Sequence, residues 1–467
     1  MKKLLAISLG FFIYSFAFAQ EEEEHNVKVA NKTLSDEHAT PTCDKLMNVF
    51  EEGYMAGRVR YYFMNTNHLP HNESYFANAI GGALAYHTAV YKGFSAGLSG
   101  VFVYNVGSTE FHDSLISRNE VELFDVVHHN NKNDLDRLEE LYLAYEWKNN
   151  KIKVGKQDIT TPMVNMQDTR MKPYVFKGVW GKFQLAKNTK LDAGWFTEAS
   201  PRSTVHWYGI DEAIGIYGQG YNTNGLESDY QGNIHSKGLG IVGLSNEFHN
   251  LKSQIWLYHI NNILNLYFAQ FDYETQIKNH TLVLGWQSLY ENAHHNGGTS
   301  DLTHTYYNPN QQAFLNSVRV GLKGQNNMIS FNTTHIANTG RYIFPREFGR
   351  EQFYTTLPRG RVEGLGGATQ MVLRFDVDKI KTEKFTGSAA LGRTLTPNHF
   401  SYNLNKYQAS DFDQFAGSLK FKPRKAKQGL SITALYIIQS SYHLADVKDL
   451  DVHHNFHQIN LIANIKF

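Results

Sequence analysis

Cysteine is nearly absent from this sequence. Cys43 is the single cysteine among 467 residues, so no disulfide can form within the chain. No Cys/His spacing resembles a structural zinc site. The sequence therefore excludes a fold held together by disulfides and gives no indication of a bound metal.

Long apolar runs are also missing after residue 19. The mean hydropathy is −0.43, too polar for a helical membrane protein, whose spans need about 18 or more uninterrupted apolar residues. The best candidate, Trp256 to Phe271, contains the polar residues His259, Asn261, Asn262, Asn265 and Gln270. These features exclude a bundle of transmembrane helices.

An excess of charge of either sign is lacking as well. The chain has 45 basic and 44 acidic residues, a formal net charge of +1. Such a balance gives no support for nucleic-acid binding, and none is expected.

The N-terminus has the pattern of a secretory signal peptide. Met1-Lys2-Lys3 precedes an apolar run from Leu4 to Ala19, and Ala17-Phe18-Ala19 fits the small-residue cleavage pattern. We therefore expect residues 1–19 to be a signal peptide. Residues 20–56 are expected to form a periplasmic leader with one short helix within Cys43–Gly53, and residues 57–467 to form a single barrel domain.

The last stretch of the chain alternates with a period of two. Apolar side chains recur at Ile459, Leu461, Ala463, Ile465 and Phe467, which predicts a strand with one apolar and one polar face. Taken by itself, this pattern also fits a terminal strand of a soluble β-sandwich. Glycine (37), tyrosine (27) and phenylalanine (30) are plentiful, as in outer-membrane barrels, where only alternate residues face lipid.

Hairpins of the same pattern recur along the chain. The clearest is Leu141 to Gly155, in which Leu141, Leu143, Tyr145 and Trp147 are predicted to face lipid and Asn149-Asn150 to form a tight turn. Short turns, among them one near Val377-Asp378, alternate with long polar connections, as in barrels with short periplasmic turns and long outer loops. The sequence thus predicts an all-β fold, a transmembrane antiparallel β-barrel of about eighteen strands with inward-folded extracellular loops.

The polar faces of the predicted strands carry more bases than acids. The mid-barrel basic residues predicted to line the lumen are Arg58, Arg60, Lys182, Arg319 and Arg374, and the acids assigned to the interior are Glu146, Asp192 and Asp376. Basic rings in a narrow pore favour anions. This pattern predicts a channel with anion preference.

Two long loops mix apolar with charged residues. They are the third outer loop, Asp158–Lys177, and the seventh, Ala337–Gly366. Their apolar content predicts that they fold inward and narrow the pore, the alternative being an ordered outer cap. The candidate constriction residues are Asp158, Asp168, Arg170, Lys172, Arg346, Arg350, Arg359, Arg361 and Glu363.

Catalytic motifs are lacking. No serine has a nucleophile-elbow setting, and the glycines at residues 364–367 have no phosphate-binding lysine. The histidine pairs His128-His129, His294-His295 and His453-His454 fall in predicted outer loops and are interpreted as solvated. We expect no enzymatic activity, catalytic residue, cofactor or metal, although an outer-membrane enzyme on a barrel scaffold and a surface adhesin or receptor stay as alternatives.

Several stretches of the sequence resemble the OprD family of outer-membrane porins, in a form like those of Bacteroidota. The matching stretches are Gly57–Tyr62, Leu138–Leu143, Gly155–Met171, Ser200–Val205 and Pro345–Gly364. The resemblance implies an eighteen-strand barrel in a Gram-negative outer membrane, a basic ladder down one wall, and passive uptake of small carboxylate-bearing solutes such as amino acids and peptides.

The resemblance also implies partners. They are outer-membrane lipid, small solutes and the barrel-assembly machinery, which reads a terminal aromatic such as Phe467; the oligomeric state is left open. Gly360, within Pro358-Arg359-Gly360-Arg361, stands where the family pattern leads us to expect a charged residue.

Overall fold

The computed structural model describes residues 41–69, 73–111, 118–380, 384–423, 429–442 and 455–467. The predicted signal peptide, most of the predicted leader and the pair His453-His454 lie outside these ranges. In the part of the chain that is described, no helix is long and apolar enough to cross a membrane.

Eighteen long strands, numbered β1–β18 here, form one antiparallel sheet. They are β1 Tyr54–His68, β2 Glu73–His87, β3 Phe94–Ser108, β4 Arg137–Trp147, β5 Asn150–Gln157, β6 Val175–Ala186, β7 Thr189–Ser200, β8 Leu239–Phe248, β9 Leu251–Ile260, β10 Leu264–Ile277, β11 His280–Ala293, β12 Gln312–Lys323, β13 Asn327–Ile336, β14 Thr369–Ile380, β15 Phe385–Leu395, β16 Phe412–Phe421, β17 Ser431–Ser441 and β18 Phe456–Lys466. Within the described ranges, the minor elements are two α-helices, α1 Arg118–Val121 and α2 Ile210–Ala213, two 3-10 helices, Leu46–Asn48 and Arg346–Phe348, and a two-residue strand, Tyr208–Gly209.

The first and last strands close the sheet into a barrel. β1 pairs with β18 from Arg58↔Lys466 to His68↔Phe456, so the sheet keeps no open edge at this seam. The chain terminus completes the seam, because Gly57 N donates to Phe467 O at 2.8 Å and Phe467 N donates to Gly57 O at 3.0 Å. A side chain at Gly57 would overlap the Phe467 ring. The predicted closed barrel of eighteen strands is confirmed.

The hairpin of β4 and β5 has the predicted register. Leu141 and Leu143 are 54% and 55% exposed on the outer face, whereas Tyr142 between them is 7% exposed. Trp147 stacks on Tyr145 with ring centroids 5.5 Å apart, which places it on the outer face too. The turn comes one residue earlier than predicted, at Lys148-Asn149, where Lys148 has a φ of 53°.

One local prediction was wrong. Val377-Asp378 was predicted to be a turn, but β14 continues to Ile380 with a register shift after Val377. The short helix predicted within Cys43–Gly53 corresponds to the 3-10 helix Leu46–Asn48, which is followed by turns. The start of this segment bonds to the barrel, since Cys43 N donates to Val90 O at 3.0 Å.

The long outer loops fold into the barrel. Loop 3 (residues 158–174), loop 4 (residues 201–238) and loop 7 (residues 337–368) bury apolar side chains against the inward faces of the strands. The loop members of this core include Met163, Val164, Ile214, Tyr217, Tyr342 and Phe348. An outer cap is therefore excluded, because the apolar parts of loops 3 and 7 are covered inside the barrel, as their composition predicted.

Candidate functional site: a charged cavity below loops 3 and 7

Loops 3 and 7 are fastened to each other by backbone contacts. Asn165 N donates to Phe348 O at 3.1 Å, and Gln352 N donates to Pro162 O at 3.2 Å. The Asn165 side-chain amide donates to Arg350 O at 2.8 Å. A Cβ on Gly349 would lie 2.7 Å from Asn165 N, and the φ of Gly349 is 139°, so only glycine fits this close approach. The two loops form one unit across the lumen.

The tip of loop 7 is a tight turn against the barrel wall. Leu357 and Gly360 form an isolated antiparallel bridge, and Arg359 has a φ of 67°, a conformation uncommon for a residue with a side chain. A side chain at Gly360 would require the end of the Gln414 side chain of β16 to move. Gly360 therefore lies against the barrel wall, and the neighbouring residue Arg359 carries a charge.

Asp168 of loop 3 binds two arginines of β1. Its carboxylate forms an ion pair with Arg58, and Arg60 Nη1 donates to Oδ1 at 2.8 Å. Burial would raise the pKa of Asp168, but Arg58 and Arg60 outweigh it and hold that pKa below its usual range. Arg60 Nε also donates to Asn464 Oδ1 of β18 at 2.6 Å. These contacts tie loop 3 to the barrel seam.

Glu122 of loop 2 (residues 109–136) joins loops 3 and 4. Arg170 Nη2 and Arg202 Nη2 lie 2.9 and 2.7 Å from Glu122 Oε2. Arg202 Nη1 donates to Thr169 Oγ1 at 2.8 Å. Loops 2, 3 and 4 thus share a network of charged side chains beside the lumen.

A cavity of about 950 Å³ lies within the barrel beside these loops. It reaches the periplasmic end, since Lys187, Asn188 and other turn residues line it. Its twelve basic lining residues are Arg60, Arg170, Lys187, Lys190, Lys252, Arg319, Lys323, Arg350, Arg359, Arg374, Lys420 and Lys466. Its seven acidic lining residues are Asp168, Glu247, Asp272, Glu274, Glu351, Asp376 and Asp378.

The charges on the cavity wall are unevenly distributed. The arc of neighbouring strands from β12 through β18 to β1 contributes six basic residues, Arg319, Lys323, Arg374, Lys420, Lys466 and Arg60, and two acids, Asp376 and Asp378. Strands β8 to β10 contribute the acids Glu247, Asp272 and Glu274 and the base Lys252. The first arc is therefore mainly basic, and strands β8 to β10 are mainly acidic.

The predicted lumen residues fall into three groups. Arg60, Arg319 and Arg374 line the cavity. Arg58 lies in a smaller neighbouring pocket of about 30 Å³ with Asp168. Lys182 is exposed near the periplasmic end of β6, opposite Lys151 and Asp192, and is not among the residues lining the cavity. Its role in the lumen stays a prediction.

The predicted constriction residues also divide. Asp168, Arg170, Arg350 and Arg359 line the cavity, and Asp158 lines the smaller pocket. The other four lie within the loop packing: Lys172, Arg346, Arg361 and Glu363.

These four side chains bind neighbouring loop groups. Lys172 Nζ donates to Leu135 O at 3.3 Å, and burial, followed by Arg137, lowers the pKa of Lys172 to about 7. Arg346 Nε lies 3.4 Å from Glu363 Oε2. Arg361 Nη2 lies 2.5 Å from Glu351 Oε2. These contacts stabilise the loops, and the four side chains are not among the residues that line the cavity.

Sequence reasoning missed several site residues. Asp272 and Glu351 line the cavity, and Tyr354 stacks under the Arg319 guanidinium, 4.3 Å from the ring centroid. The alternation along Leu266–Thr275 is ambiguous in the sequence, so the face of the strand on which Asp272 lies was not predicted. Glu351 is one of many charged residues in loop 7, and its sequence position did not distinguish it from the others.

Among the described residues, no three or more His, Cys, Asp or Glu side chains are arranged to hold a metal ion. His294 and His295 stack on each other with ring centroids 4.0 Å apart.

A closed eighteen-strand barrel with a charged cavity beneath inward-folded loops defines an outer-membrane channel protein. The sequence matches the family described as outer membrane porin, OprD family, over residues 51–338. The chain belongs to the OprD family of outer-membrane porins, which are not enzymes, and is located in the outer membrane of a Gram-negative bacterium.

Solved porins of this kind share the fold at low sequence identity. OccD3 (OpdP) of Pseudomonas aeruginosa is 12% identical with a TM-score of 0.68, covering 94% of this chain and 97% of its own. OccK9 (OpdG) of the same organism is 12% identical with a TM-score of 0.71, covering 90% and 99%. OpdK of that organism, solved with vanillate, is 11% identical with a TM-score of 0.65, covering 90% and 99%. No curated protein matches the sequence.

Proposed function

We propose that this porin admits small solutes that carry a carboxylate, such as amino acids, small peptides and organic acids, by passive diffusion with a weak preference for anions. The observation that carries the proposal is the cavity lining, in which twelve basic residues outnumber seven acidic ones. The protein wall has a low dielectric constant, which strengthens the field of these charges inside the lumen.

Arginine is suited to the proposed solutes because its planar guanidinium matches a carboxylate with two parallel hydrogen bonds. Arg319 and Arg374 lie on β12 and β14, two strands apart, with Arg359 at the tip of loop 7. A carboxylate can pass from one guanidinium to the next. Several moderate sites conduct better than one tight site, since the solute must also leave.

The acidic lining residues fit the same role. Asp168 neutralises part of the charge of Arg60, so the cavity attracts anions without binding them tightly. Acids of the cavity wall such as Asp272 and Glu274 offer a partner for the ammonium group of an amino acid. OpdK was solved with vanillate, an aromatic carboxylate, which supports this solute class for a protein of the same fold.

Ion selectivity in planar bilayers tests the proposal. Replacing Arg319 and Arg374 with glutamine removes two cavity charges, and we expect the reversal potential in a salt gradient to shift toward cation preference. Arg393→Gln is the matched control, because Arg393 pairs with Asp413 at 3.1 Å and its side chain is 51% exposed outside the cavity. Unchanged selectivity in the double variant would contradict the proposal, as would an equal shift in the control.

A further inference from the structure

A buried carboxyl group lies close to the cavity without lining it. Glu120 of α1 is 0% exposed, and Thr66 Oγ1 of β1 donates to its Oε1 at 2.5 Å. Its other oxygen, Oε2, has no hydrogen-bond partner among the described residues. The cavity charges discussed above do not include this side chain, and its burial is costly.

A chain of hydrogen bonds joins Glu120 to the arginine at the tip of loop 7. Arg359 Nε donates to Gln458 Oε1 at 2.9 Å, and Gln458 Nε2 donates to Thr66 Oγ1 at 2.7 Å. Thr66 then donates to Glu120. Thr66 and Gln458 are both 0% exposed. Because every donor points toward the carboxyl group, the chain is polarised from the guanidinium to the carboxylate.

Other charged and titratable groups surround this chain. They are Tyr62 and His68 on β1, Tyr75 on β2, Glu122 in loop 2, Arg170 in loop 3 and Arg202 in loop 4. From β18 come the neutral amides of Gln458 and Asn460. Arg359 and Arg170 attract the ionised form of Glu120. Glu120 is thus a buried acid in a mainly basic environment.

The charge of Glu120 is sensitive to neutral pH. Burial raises the pKa of Glu120 to about 7, despite the hydrogen bond from Thr66 and the attraction of Arg359. Burial, and then Arg170, lowers the pKa of Arg359 to about 9. The guanidinium therefore benefits from a nearby negative charge. Above pH 7 that charge is present and offsets Arg359, and below pH 7 it is lost.

We propose that Glu120 is a specificity-determining residue of the channel, acting through Thr66 and Gln458 on the position and the uncompensated charge of Arg359. It is a positioning residue, because it does not line the cavity. The inference rests on the proposed function, since it assumes that Arg359 acts on passing anions. It adds to that function a dependence of anion preference on pH.

The test measures reversal potentials in a potassium chloride gradient at pH 5.5 and 8.5. For the unmodified protein we expect an anion-to-cation permeability ratio about twofold higher at the acidic pH, because one unit of compensating charge is lost in a low-dielectric pore. Glu120→Gln should remove this change and keep the ratio at its acidic value. Glu110→Gln, at an exposed carboxylate of the same loop, should keep the full change.

A second pair of variants tests the hydrogen-bond chain without removing the carboxyl group. Thr66→Val should reduce the pH dependence, and Thr66→Ser, which retains the hydroxyl, should restore it. If Glu120→Gln does not assemble into a barrel, the two Thr66 variants still test the proposal. A role for Glu120 in stability alone would leave the pH dependence intact in Thr66→Val.

The inference and the proposed function fail in different ways. A full pH change in Glu120→Gln or in Thr66→Val overturns the inference, while Arg359→Gln still lowers anion preference. If Arg359→Gln has the parent's selectivity at both pH values, the proposed role of Arg359 is wrong and the inference falls with it.

Discussion

Loops 3 and 7 enter the same lumen but are held there by different interactions. Loop 3 is bound by charge, because Asp168 pairs with both Arg58 and Arg60 on the wall. The tip of loop 7 is bound through its backbone carbonyls: Gln414 donates to Pro358 O, Gln370 donates to Gly360 O at 3.4 Å, and Arg374 Nη2 donates to Thr356 O at 3.1 Å. The difference indicates that loop 3 depends on charge balance, whereas loop 7 depends on many smaller contacts.

Removing the carboxylate of loop 3 should have the largest effect. In Asp168→Asn, two wall arginines lose their counter-ion, and an uncompensated buried charge costs about 3–5 kcal/mol of stability. We expect a lower midpoint of thermal unfolding in detergent and a stronger anion preference. Glu227→Gln, at an exposed site in loop 4, is the control. Equal midpoints for the two variants would show that loop 3 does not depend on this ion pair.

The buried lysine of loop 3 should give a smaller effect that depends on pH. The pKa of Lys172 falls from 10.5 to about 7 on burial, so between these values the unfolded chain binds more protons than the folded one. The stability that this lysine contributes therefore rises with pH between 7 and 10.5, and it is lost as pH falls from 10.5 through 7.

Lys172→Met removes this titration. We expect the variant to lose part of the rise in unfolding midpoint between pH 7 and 10, because burial also lowers the pKa of Lys406 to about 8 and that of Arg359 to about 9. It should keep the slope of opposite sign between pH 4.5 and 7 to which the raised pKa of Glu120 contributes. A variant that retains the parent's slope above pH 7 would show that Lys172 is charged in the folded protein.

Loss of one neutral contact at loop 7 should have the smallest effect. Gln414→Ala removes the hydrogen bond to Pro358 O and should cost about 1 kcal/mol. Gln276→Ala, on the exposed end of β10, serves as the control for the same substitution. If Gln414→Ala destabilises the barrel as much as Asp168→Asn, the contrast between ionic and neutral attachment is wrong.

The barrel wall was the most predictable part of the molecule. A strand at a lipid boundary must alternate apolar and polar residues, so the faces of Leu141, Tyr142 and Leu143 follow from their order alone. The arginines of β1, β12 and β14 were assigned to the interior by the same rule, and Arg60, Arg319 and Arg374 line the cavity. The turn near Val377-Asp378 was predicted wrongly because aspartate is common in turns, whereas Asp378 lies within a long strand.

The loop residues were less predictable because a loop has no fixed period. Composition correctly predicted that loops 3 and 7 fold inward, but it did not distinguish Arg359, which lines the cavity, from Arg361, which pairs with Glu351 of the same loop. That distinction depends on the φ of 67° at Arg359 and on the wall residue Gln414. Both are consequences of how the loop packs.

The sequence by itself determined the antiparallel barrel, its strand faces and the basic excess toward the lumen, because each depends on the nature and order of neighbouring residues. Only the tertiary structure decided which charges meet. Asp168 lies 108 positions from Arg60 in the sequence and binds it at 2.8 Å, and Glu120 reaches Arg359 through residues from two further strands. Charges so far apart come together only when closing the barrel fixes the positions of the strands and loops that carry them.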